Sequence, residues 1–426
     1  MRRVLLALAV AGVAYWAYID LVVVKKVDEV AERSLRQDSF RDPVIEGMEA
    51  RLYLNSLREK AGLPSFMGSG NLEKSAASHA AYLAKNRANG HNQSPSFPGF
   101  SGETPSDRAV GAGYPSRVVR ENLSSGNIDF KDSVDGLFAA IYHRFGFLDS
   151  TMDEIGIAYA EDSSGRRIYV YDMGSYGVAG LCREDERFSR GKYLIGVCAE
   201  REKRISAARF EKVLDINRRQ SPKIILWPYD GQEDVPPAFF EEIPDPLPEY
   251  SVSGYPISII FNGYYFKRVK VVSFRLYSSS GSEEIPVRLM DAVSDPNLLL
   301  KKNQFAVFPL KRLEYGTGYT ATVHYIADGK AGTKEWSFKT RSFDNDILEV
   351  EGSEATFGVV PGKSYVLYLK PHGPNDTLKK VLHPRGTAVE KIDANTLLLK
   401  ISEDIDEPFV VEAGGRRVTL QPQIGG

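Results

Sequence analysis

The chain has 426 residues, with 54 Lys and Arg against 56 Asp and Glu, and only 2 cysteines. At about 150 residues per domain, this length predicts roughly three domains, each large enough for its own core. The formal net charge of −2 argues against a nucleic-acid binder, because neutralising phosphates requires a basic surface. Two cysteines also exclude a cysteine-rich zinc module and a dense disulfide scaffold.

The N-terminus carries an apolar run from Val4 to Val24, interrupted by a single aspartate and flanked by basic residues on both sides. A run of this length just spans a bilayer core of about 30 Å, so we predict a signal anchor over residues 1–26. A polar stalk over residues 27–43 follows. The alternative is a signal peptide that is cleaved within the run. Both interpretations place the rest of the chain outside the cytoplasm, either anchored to the bilayer or secreted.

The next segment, residues 44–200, has the pattern of an α+β domain. Apolar residues at helical spacing predict three helices, over Ile45–Leu57, Leu72–Leu83 and Ser133–Phe145. Alternating residues near 155–159 and 168–171 then predict a β-hairpin. The connection between the second and third helices, from residue 92 to 113, is rich in Gly, Ser and Pro, and a loop this long is often functional.

Beyond about residue 220 the pattern becomes that of short strands separated by turn residues. This predicts an immunoglobulin-like β-sandwich over residues 221–342 and a second, small β domain over residues 343–426. The stretch that ends at Tyr319 resembles the tyrosine corner of immunoglobulin-like domains. The segment from Pro228 to Pro248 is rich in Pro, Asp and Glu and is interpreted as an extended lead-in. The predicted fold class is therefore α+β followed by two all-β sandwich-like domains.

The two cysteines, Cys182 and Cys198, are 16 residues apart. In an oxidising compartment such a pair is expected to form one disulfide that closes a short loop. The alternative is two free, buried thiols.

Two histidines and a carboxylate in the α+β segment form the best candidate for chemistry. His91 follows the predicted end of the second helix, His143 lies near the end of the third, and Glu121 lies between them in sequence. Brought to one groove, these side chains could bind zinc, with water completing the coordination. They could instead act as an acid and base set, since histidine titrates near neutrality. The simpler explanation is that a histidine at a helix C-terminus stabilises the helix dipole.

Several short motifs, in order, give this region a resemblance to a known family. They are Tyr53–Arg58 followed by Ala61–Pro64, Gly90-His91, Asp107-Arg108 with Gly113-Tyr114, Glu121-Asn122, His143-Arg144 and Asp153–Ile157. Together they resemble the CAP superfamily, which includes cysteine-rich secretory proteins, venom antigens, plant pathogenesis-related proteins and bacterial relatives. The resemblance implies an α-β-α sandwich whose groove gathers His91, Glu121 and His143. It also implies that the two histidines can hold a divalent metal, often zinc.

Two departures from the family pattern bear on this groove. Arg120 stands where the family has Gly before Glu121, and so is expected to place a cation beside that carboxylate. The acidic residue expected near the third helix has no match, since apolar residues occupy 137–140. We expect Asn122, Arg120, His79 and Tyr142 to lie around the groove or to support it from behind, with a core or surface position as the alternative for His79.

The sequence thus favours a membrane-anchored, extracytoplasmic CAP-domain protein that binds a lipid, a glycan or an envelope protein, with a zinc site as one possibility. A metal-assisted hydrolase of envelope peptides or peptidoglycan is the enzymatic alternative, with Glu121 as the base and His91 and His143 as ligands. A structural spacer with a vestigial site is the third hypothesis.

Overall fold

The computed structural model of the protein describes residues 42–185, 191–279, 283–384 and 386–423. The predicted anchor, residues 1–26, and all but the last two residues of the predicted stalk lie outside these ranges. Across the described ranges, no helix is both long enough and apolar enough to cross a membrane. The described chain divides into two compact units, one of residues 42–248 and 253–341 and the other of residues 249–252 and 342–423.

The helices of the larger unit all precede residue 221, in what we call the α+β region (residues 42–220). In chain order they are α1 (Pro43–Lys60), α2 (Gly70–Asn86), α3 (Pro105–Gly111), α4 (Phe130–Ala139), α5 (Ile141–Phe147), α6 (Tyr176–Arg183) and α7 (Ala207–Gln220). Helix α1 begins at Pro43 because the Asp42 side chain accepts the Val44 N–H at 2.8 Å and because proline is favourable in a first turn. The two predicted helices before residue 90 are thereby confirmed.

A four-stranded sheet lies between two layers of helices. Its strands are β1 (Met67–Gly68), β2 (Arg120–Ser125), β3 (Glu154–Glu161) and β4 (Arg167–Gly174), in the order β1-β3-β4-β2. The predicted hairpin is confirmed, since β3 and β4 pair antiparallel from Glu154–Gly174 to Glu161–Arg167.

Strand β4 shows how the sheet separates its two faces. Its Ile168 and Val170 pack with the small apolar residues of α2. Its Tyr169 and Tyr171 point the other way, because alternate residues of a strand face opposite sides. There the Tyr169 hydroxyl donates to Glu46 of α1 at 2.7 Å, and the Tyr171 hydroxyl lies 2.7 Å from that of Ser133 on α4. The α-β-α sandwich that the resemblance implies is therefore present.

The predicted third helix is wrong in one respect, because it is two helices. The helix is interrupted at Ala140, whose ψ of 118° is extended. Helix α4 therefore ends before this residue and α5 begins after it. Two side chains bind the backbone groups that the break exposes. Arg144 donates to the freed Phe138 carbonyl at 2.6 Å, and Glu242, from far downstream, accepts the N–H groups of Tyr142 and His143. The break thus turns His143 toward a carboxylate outside the α+β region.

The long Gly/Ser/Pro-rich connection contains an unpredicted helix, α3. Thr104 and Asp107 form a capping box at its start, and Pro105 follows the cap. This capping pattern is visible in the sequence and could have revealed the helix. Its consequence is functional, because α3 carries Arg108 into the interior.

The end of the α+β region is closed by the disulfide between Cys182 and Cys198, whose Cα atoms are 5.3 Å apart. The predicted pairing is confirmed. Cys182 lies on α6, and Cys198 packs in a small apolar cluster with residues of α6 and α7. A short ribbon, β5 (Tyr193–Leu194) with β6 (Ile205–Ser206), leads into α7.

The rest of the larger unit is a β-sandwich, so the prediction of a β-rich chain beyond residue 220 is confirmed. One sheet has the order β14-β15-β11-β7, a second the order β13-β12-β16-β17-β8, and β9 pairs with β10. The strands are β7 (Ile224–Trp227), β8 (Gln232–Val235), β9 (Ala238–Phe239), β10 (Ser253–Gly254), β11 (Ile257–Phe261), β12 (Val269–Ser278), β13 (Glu284–Ile285), β14 (Val287–Met290), β15 (Gln304–Pro309), β16 (Gly318–Ala327) and β17 (Lys330–Thr340).

This β-sandwich packs directly on α4 and α5. The Phe138 and Trp227 rings stack with centroids 4.1 Å apart, and Arg144 donates to the Pro256 carbonyl at 2.6 Å. Both Phe138 and Arg144 are buried. The helix that carries His143 is therefore held by residues of the sandwich as well as by its own domain.

The smaller unit contains two more four-stranded sheets, ordered β18-β20-β23-β22 and β19-β25-β24-β21. Its strands are β18 (Ile347–Val350), β19 (Glu354–Val359), β20 (Ser364–Leu369), β21 (Val381–Leu382), β22 (Thr387–Asp393), β23 (Thr396–Ile401), β24 (Phe409–Ala413) and β25 (Arg416–Pro422). An apolar core that includes Leu367, Leu399 and Val418 lies inside it.

A tyrosine corner occurs in each β unit. The Tyr319 hydroxyl accepts the N–H of Glu314 at 3.0 Å, as the resemblance at this position predicts. Tyr365 accepts the N–H of Val360 at 2.8 Å in the same five-residue arrangement. The exact boundaries predicted for the domains remain a prediction.

Candidate functional site

Three side chains of the α+β region meet at one side of the groove. His91 follows α2, Glu121 lies on β2, and Arg108 lies on α3. His91 donates its Nδ1–H to Glu121 Oε1 at 2.8 Å, and Arg108 Nη2 donates to Glu121 Oε2 at 2.5 Å. The glutamate side chain is 1% exposed and that of Arg108 is fully buried, whereas His91 is 43% exposed. The carboxylate therefore anchors an accessible imidazole to a buried guanidinium.

The electrostatic surroundings of Glu121 favour its charged form. Burial raises the pKa of this carboxyl, but the hydrogen bond from His91 and the positive charge of Arg108 outweigh burial, so the pKa lies below its usual range. Asp172, the cross-strand neighbour of Glu121 on β4, has the opposite shift. Its pKa is raised by burial and by the negative charge of Glu121, which favours the neutral acid.

His79 lies behind this pair as a buried, neutral imidazole. It donates Nε2–H to the Gly90 carbonyl at 3.1 Å and accepts from Gln93 at 3.0 Å, and its side chain is fully buried. Burial lowers its pKa to about 4, although the charge of Glu121 opposes this shift. Of the two alternatives left open by the sequence, His79 therefore takes the core position, where it supports the loop that carries His91.

The other side of the groove combines two residues that are far apart in the sequence. His143 donates its Nδ1–H to Glu242 Oε1 at 2.7 Å, and the same oxygen accepts the N–H of Tyr142 at 2.9 Å and that of His143 at 3.2 Å. Glu242 belongs to the lead-in segment (residues 228–248), which follows β7 and contains β8 and β9. Its side chain is 0% exposed, against 15% for His143.

The rings of the two histidines lie close together and nearly parallel. Their ring centroids are 6.3 Å apart and the ring planes differ by 28°. Each ring uses Nδ1 to bind a carboxylate, and neither Nε2 has a hydrogen-bond partner among the described residues. A neutral histidine that carries its proton on Nδ1 has a lone pair on Nε2, so the groove presents two imidazole acceptors side by side.

The remaining predicted residues lie around this pair in different ways. Asn122 is buried and donates to the His143 carbonyl at 2.8 Å, so it supports the His143 backbone. Arg120 points away from Glu121 and pairs with Asp149 at 3.0 Å. Tyr142 donates its hydroxyl to Asp295 of the β-sandwich at 2.5 Å. The expectation that Arg120 places a cation beside Glu121 is therefore wrong: Arg108 is the cation there.

Sequence reasoning missed two residues of the site, Arg108 and Glu242. Arg108 directly follows Asp107, the last residue of the α3 capping box, and that pattern could have placed it on a helix. No local pattern marks Glu242, because its partner His143 is 99 residues away along the chain.

A cavity of about 440 Å³ lies away from this groove. It lies between residues 148–151 and the β-sandwich, and Lys267, Arg268 and Lys302 are among its lining residues. None of the groove histidines or their carboxylates lines it. The candidate site is therefore separate from this cavity.

Comparison with known families identifies one region of the chain. The family model described as CAP, the cysteine-rich secretory protein family, matches residues 52–173. Residues 52–173 form a CAP domain. The match covers less than a third of the chain and includes His91, Arg108, Glu121 and His143, whereas Glu242 lies well outside it. No curated protein matches this chain.

Solved structures of bacterial proteins also resemble this chain. An outer surface protein of Borrelia burgdorferi is 25% identical over 30% of this chain and 92% of its own, with a TM-score of 0.27. An extracellular SCP-domain protein of Bacillus anthracis is 16% identical over 31% of this chain, with a TM-score of 0.28, and a cysteine-rich secretory protein of Staphylococcus aureus is 15% identical over 32%, with a TM-score of 0.25. The chain covers only 41% and 40% of those last two proteins.

Proposed function

We propose that this chain is an extracytoplasmic binding protein, and that its CAP-domain groove holds a ligand through Nε2 of His91 and Nε2 of His143. One observation carries the proposal. Each histidine is fixed by a buried carboxylate at Nδ1, while its Nε2 has no protein partner among the described residues. Orienting an imidazole in this way sets which nitrogen is free to bind.

The surroundings of Glu121 favour binding over catalysis. A general base must take up a proton at working pH, and its pKa should lie near that pH. Glu121 has a lowered pKa, is 1% exposed and already binds both Arg108 and His91. These contacts favour a structural anchor, so the hydrolase in which Glu121 acts as base is the weaker candidate.

A divalent cation such as zinc, which the CAP resemblance implies, fits this groove in a limited way. Histidine ligands of metals almost always donate their other ring N–H to a carboxylate or carbonyl, and both groove histidines do so. A catalytic zinc ion usually takes three protein ligands and a structural one four. The described residues contain no group of three or more His, Cys, Asp or Glu that could hold a metal ion. We therefore propose a two-histidine site, whose ion would add positive charge for an oxygen-bearing ligand.

The location and the partners belong to the same proposal. The disulfide between Cys182 and Cys198 supports export to an oxidising compartment. The apolar run of residues 4–24 supports either a membrane anchor or a cleaved signal. We propose a lipid, a glycan or an envelope protein as the natural ligand, with the spacer hypothesis as the outcome if none of these binds.

Calorimetric titration of the purified full chain with zinc chloride tests the groove. The wild type should bind zinc, and the double variant His91→Ala/His143→Ala should not. The matched control is His324→Ala/His383→Ala, which removes two histidines outside the groove and should bind like the wild type. Absence of binding by the wild type, or retained binding by the groove double variant, would contradict the proposal.

A further inference from the structure

We propose that Glu242 is a positioning residue of the CAP-domain groove, supplied from outside the CAP domain by the lead-in segment. The inference rests on the proposed function above and deepens it, because it makes the ligand site a joint product of the CAP domain and the β-sandwich. Glu242 fixes the ring of His143 in the orientation that leaves Nε2 free.

The contacts of Glu242 are specific for this role. A single oxygen, Oε1, accepts the Nδ1–H of His143 at 2.7 Å and the backbone N–H groups of Tyr142 and His143 at 2.9 and 3.2 Å. The carboxylate thus accepts hydrogen bonds from both the backbone and the ring of His143. Its side chain is 0% exposed, so no water molecule can take over these contacts without the segment moving.

The position of Glu242 is set by the β-sandwich. Asn297, in the sandwich, donates to the Asp245 carbonyl of the lead-in at 2.8 Å and to the Tyr142 hydroxyl at 2.9 Å. Leu247 of the lead-in is fully buried, and Phe239 packs edge-on against Phe308 with ring centroids 5.6 Å apart. The lead-in is therefore fastened on both sides of Glu242.

The unpartnered oxygen of Glu242 favours positive charge on the far side of His143. No lysine or arginine of the described residues forms an ion pair with Glu242, and its Oε2 is buried without a hydrogen-bond partner. The buried guanidinium of Arg144 interacts with Glu242 electrostatically but makes no direct ion pair with it, and its hydrogen bonds go to Phe138, Pro256 and Ser258. A buried carboxylate oxygen without a hydrogen-bond partner destabilises the folded state. Positive charge brought to the imidazole at Nε2 strengthens its hydrogen bond to the carboxylate and offsets that cost.

A purely structural explanation also exists, because Oε1 caps the first turn of α5. The substitution Glu242→Gln separates the two roles. Its amide oxygen can still accept the backbone N–H groups, so the cap is retained. Its amide group is neutral and can also donate, so the preference for a proton on Nδ1 of His143 is lost.

The test compares Glu242→Gln with Glu241→Gln in the purified full chain. Glu241 is the adjacent, exposed residue, so the control makes the same chemical change one position away. Two quantities are measured: the zinc Kd by calorimetry, and the His143 tautomer by long-range 1H–15N NMR after 15N-histidine labelling. We expect Glu242→Gln to raise the Kd by about 10-fold or more, as for other partners of metal ligands, and to shift the His143 tautomer away from Nδ1–H. Glu241→Gln should resemble the wild type in both.

The two proposals fail in different ways. If the wild type binds zinc and Glu242→Gln binds it within about twofold, the inference is overturned while the proposed function stands. If the wild type does not bind zinc, the proposed zinc binding fails. The tautomer then decides the inference alone, since an unchanged His143 in Glu242→Gln overturns it and a shift supports it. A thermal melt of both variants shows whether a loss of affinity merely reports unfolding.

Discussion

The two sides of the groove hold similar histidines in different ways. On the His91 side, the carboxylate of Glu121 comes from the CAP domain itself and is neutralised by the buried Arg108 at 2.5 Å. On the His143 side, the carboxylate of Glu242 comes from the lead-in segment, and no lysine or arginine of the described chain pairs with it. Glu121 therefore has a direct ion pair with a buried guanidinium, whereas Glu242 has no such ion pair among the described residues.

The difference between the two sides follows the boundary of the family-model match. The family-model match ends at residue 173, so it covers the complete His91 side. It covers only half of the His143 side, because Glu242 lies beyond it. The following experiments test whether the two sides behave as unequally as their contacts indicate.

The largest effect is expected on the His91 side, from removing the guanidinium. Arg108→Leu leaves Glu121 as a buried charge that retains only histidine partners. Removing one partner of a buried ion pair typically costs about 3–5 kcal/mol. Equilibrium unfolding in urea should show a loss of this size in the free energy of unfolding. The double variant Arg108→Leu/Glu121→Gln, which removes the unpaired charge, should recover part of the lost free energy of unfolding. A loss below about 1 kcal/mol in Arg108→Leu would show that Arg108 does not anchor Glu121.

A second effect on the same side is a pH dependence from His79. Its pKa is about 4 in the folded protein and about 6.5 when unfolded, because burial disfavours its charged form. Between these values the unfolded chain binds more protons, so stability falls as pH falls through this window and levels off below about 4. The loss from pH 7 to pH 5 should be about 2 kcal/mol.

The pH experiment is a comparison of the wild type with His79→Gln, each unfolded in urea at pH 7 and pH 5. The groups that face His79, namely Glu121, Arg108 and His91, are the same in both proteins. The difference between the two proteins should therefore shrink toward pH 5. Equal pH dependences would show that His79 is not held neutral.

A smaller effect is expected on the His143 side, from loosening the lead-in. Tyr142→Phe removes a hydroxyl that donates to Asp295 at 2.5 Å and accepts from Asn297 at 2.9 Å. Asp295 keeps its backbone N–H partners, so the cost in stability should be about 1–2 kcal/mol. Zinc affinity should fall less than in Glu242→Gln. A larger fall in affinity would place the control of His143 in Tyr142 and not in Glu242.

The smallest effect is expected from Arg120, whose side chain is 39% exposed and pairs with Asp149. Lys301 also pairs with Asp149 at 3.0 Å, so Arg120→Gln leaves that carboxylate a partner. Stability should change by less than about 1 kcal/mol, and zinc affinity by less than twofold. If Arg120→Gln remained folded in a thermal melt but lost most of its zinc binding, Arg120 would have to be a residue of the groove.

The sequence predicts the local parts of this molecule well. Helical spacing places α1 and α2, strict alternation places the hairpin of β3 and β4, and the order of short motifs assigns His91, Glu121 and His143 to one groove. These features can be predicted because each depends on a few residues that are close together in the sequence.

The parts that escaped prediction depend on contacts between distant segments. The break at Ala140 has no proline or glycine at that position, and it is supported by Arg144 and by Glu242 from about 100 residues downstream. The place of Arg108 on a helix is visible in the sequence only through the capping box of α3. The two histidines and Glu121 can thus be named from motifs, whereas Glu242, which orients His143, depends on tertiary packing.

The most direct test of the central claim is anomalous diffraction at the zinc edge, from crystals of the full chain grown with zinc. We expect one anomalous peak about 2.0–2.1 Å from Nε2 of His91 and from Nε2 of His143, with both Nδ1 atoms still bound to their carboxylates. A groove without such a peak, or zinc held only by histidines elsewhere on the chain, would contradict it.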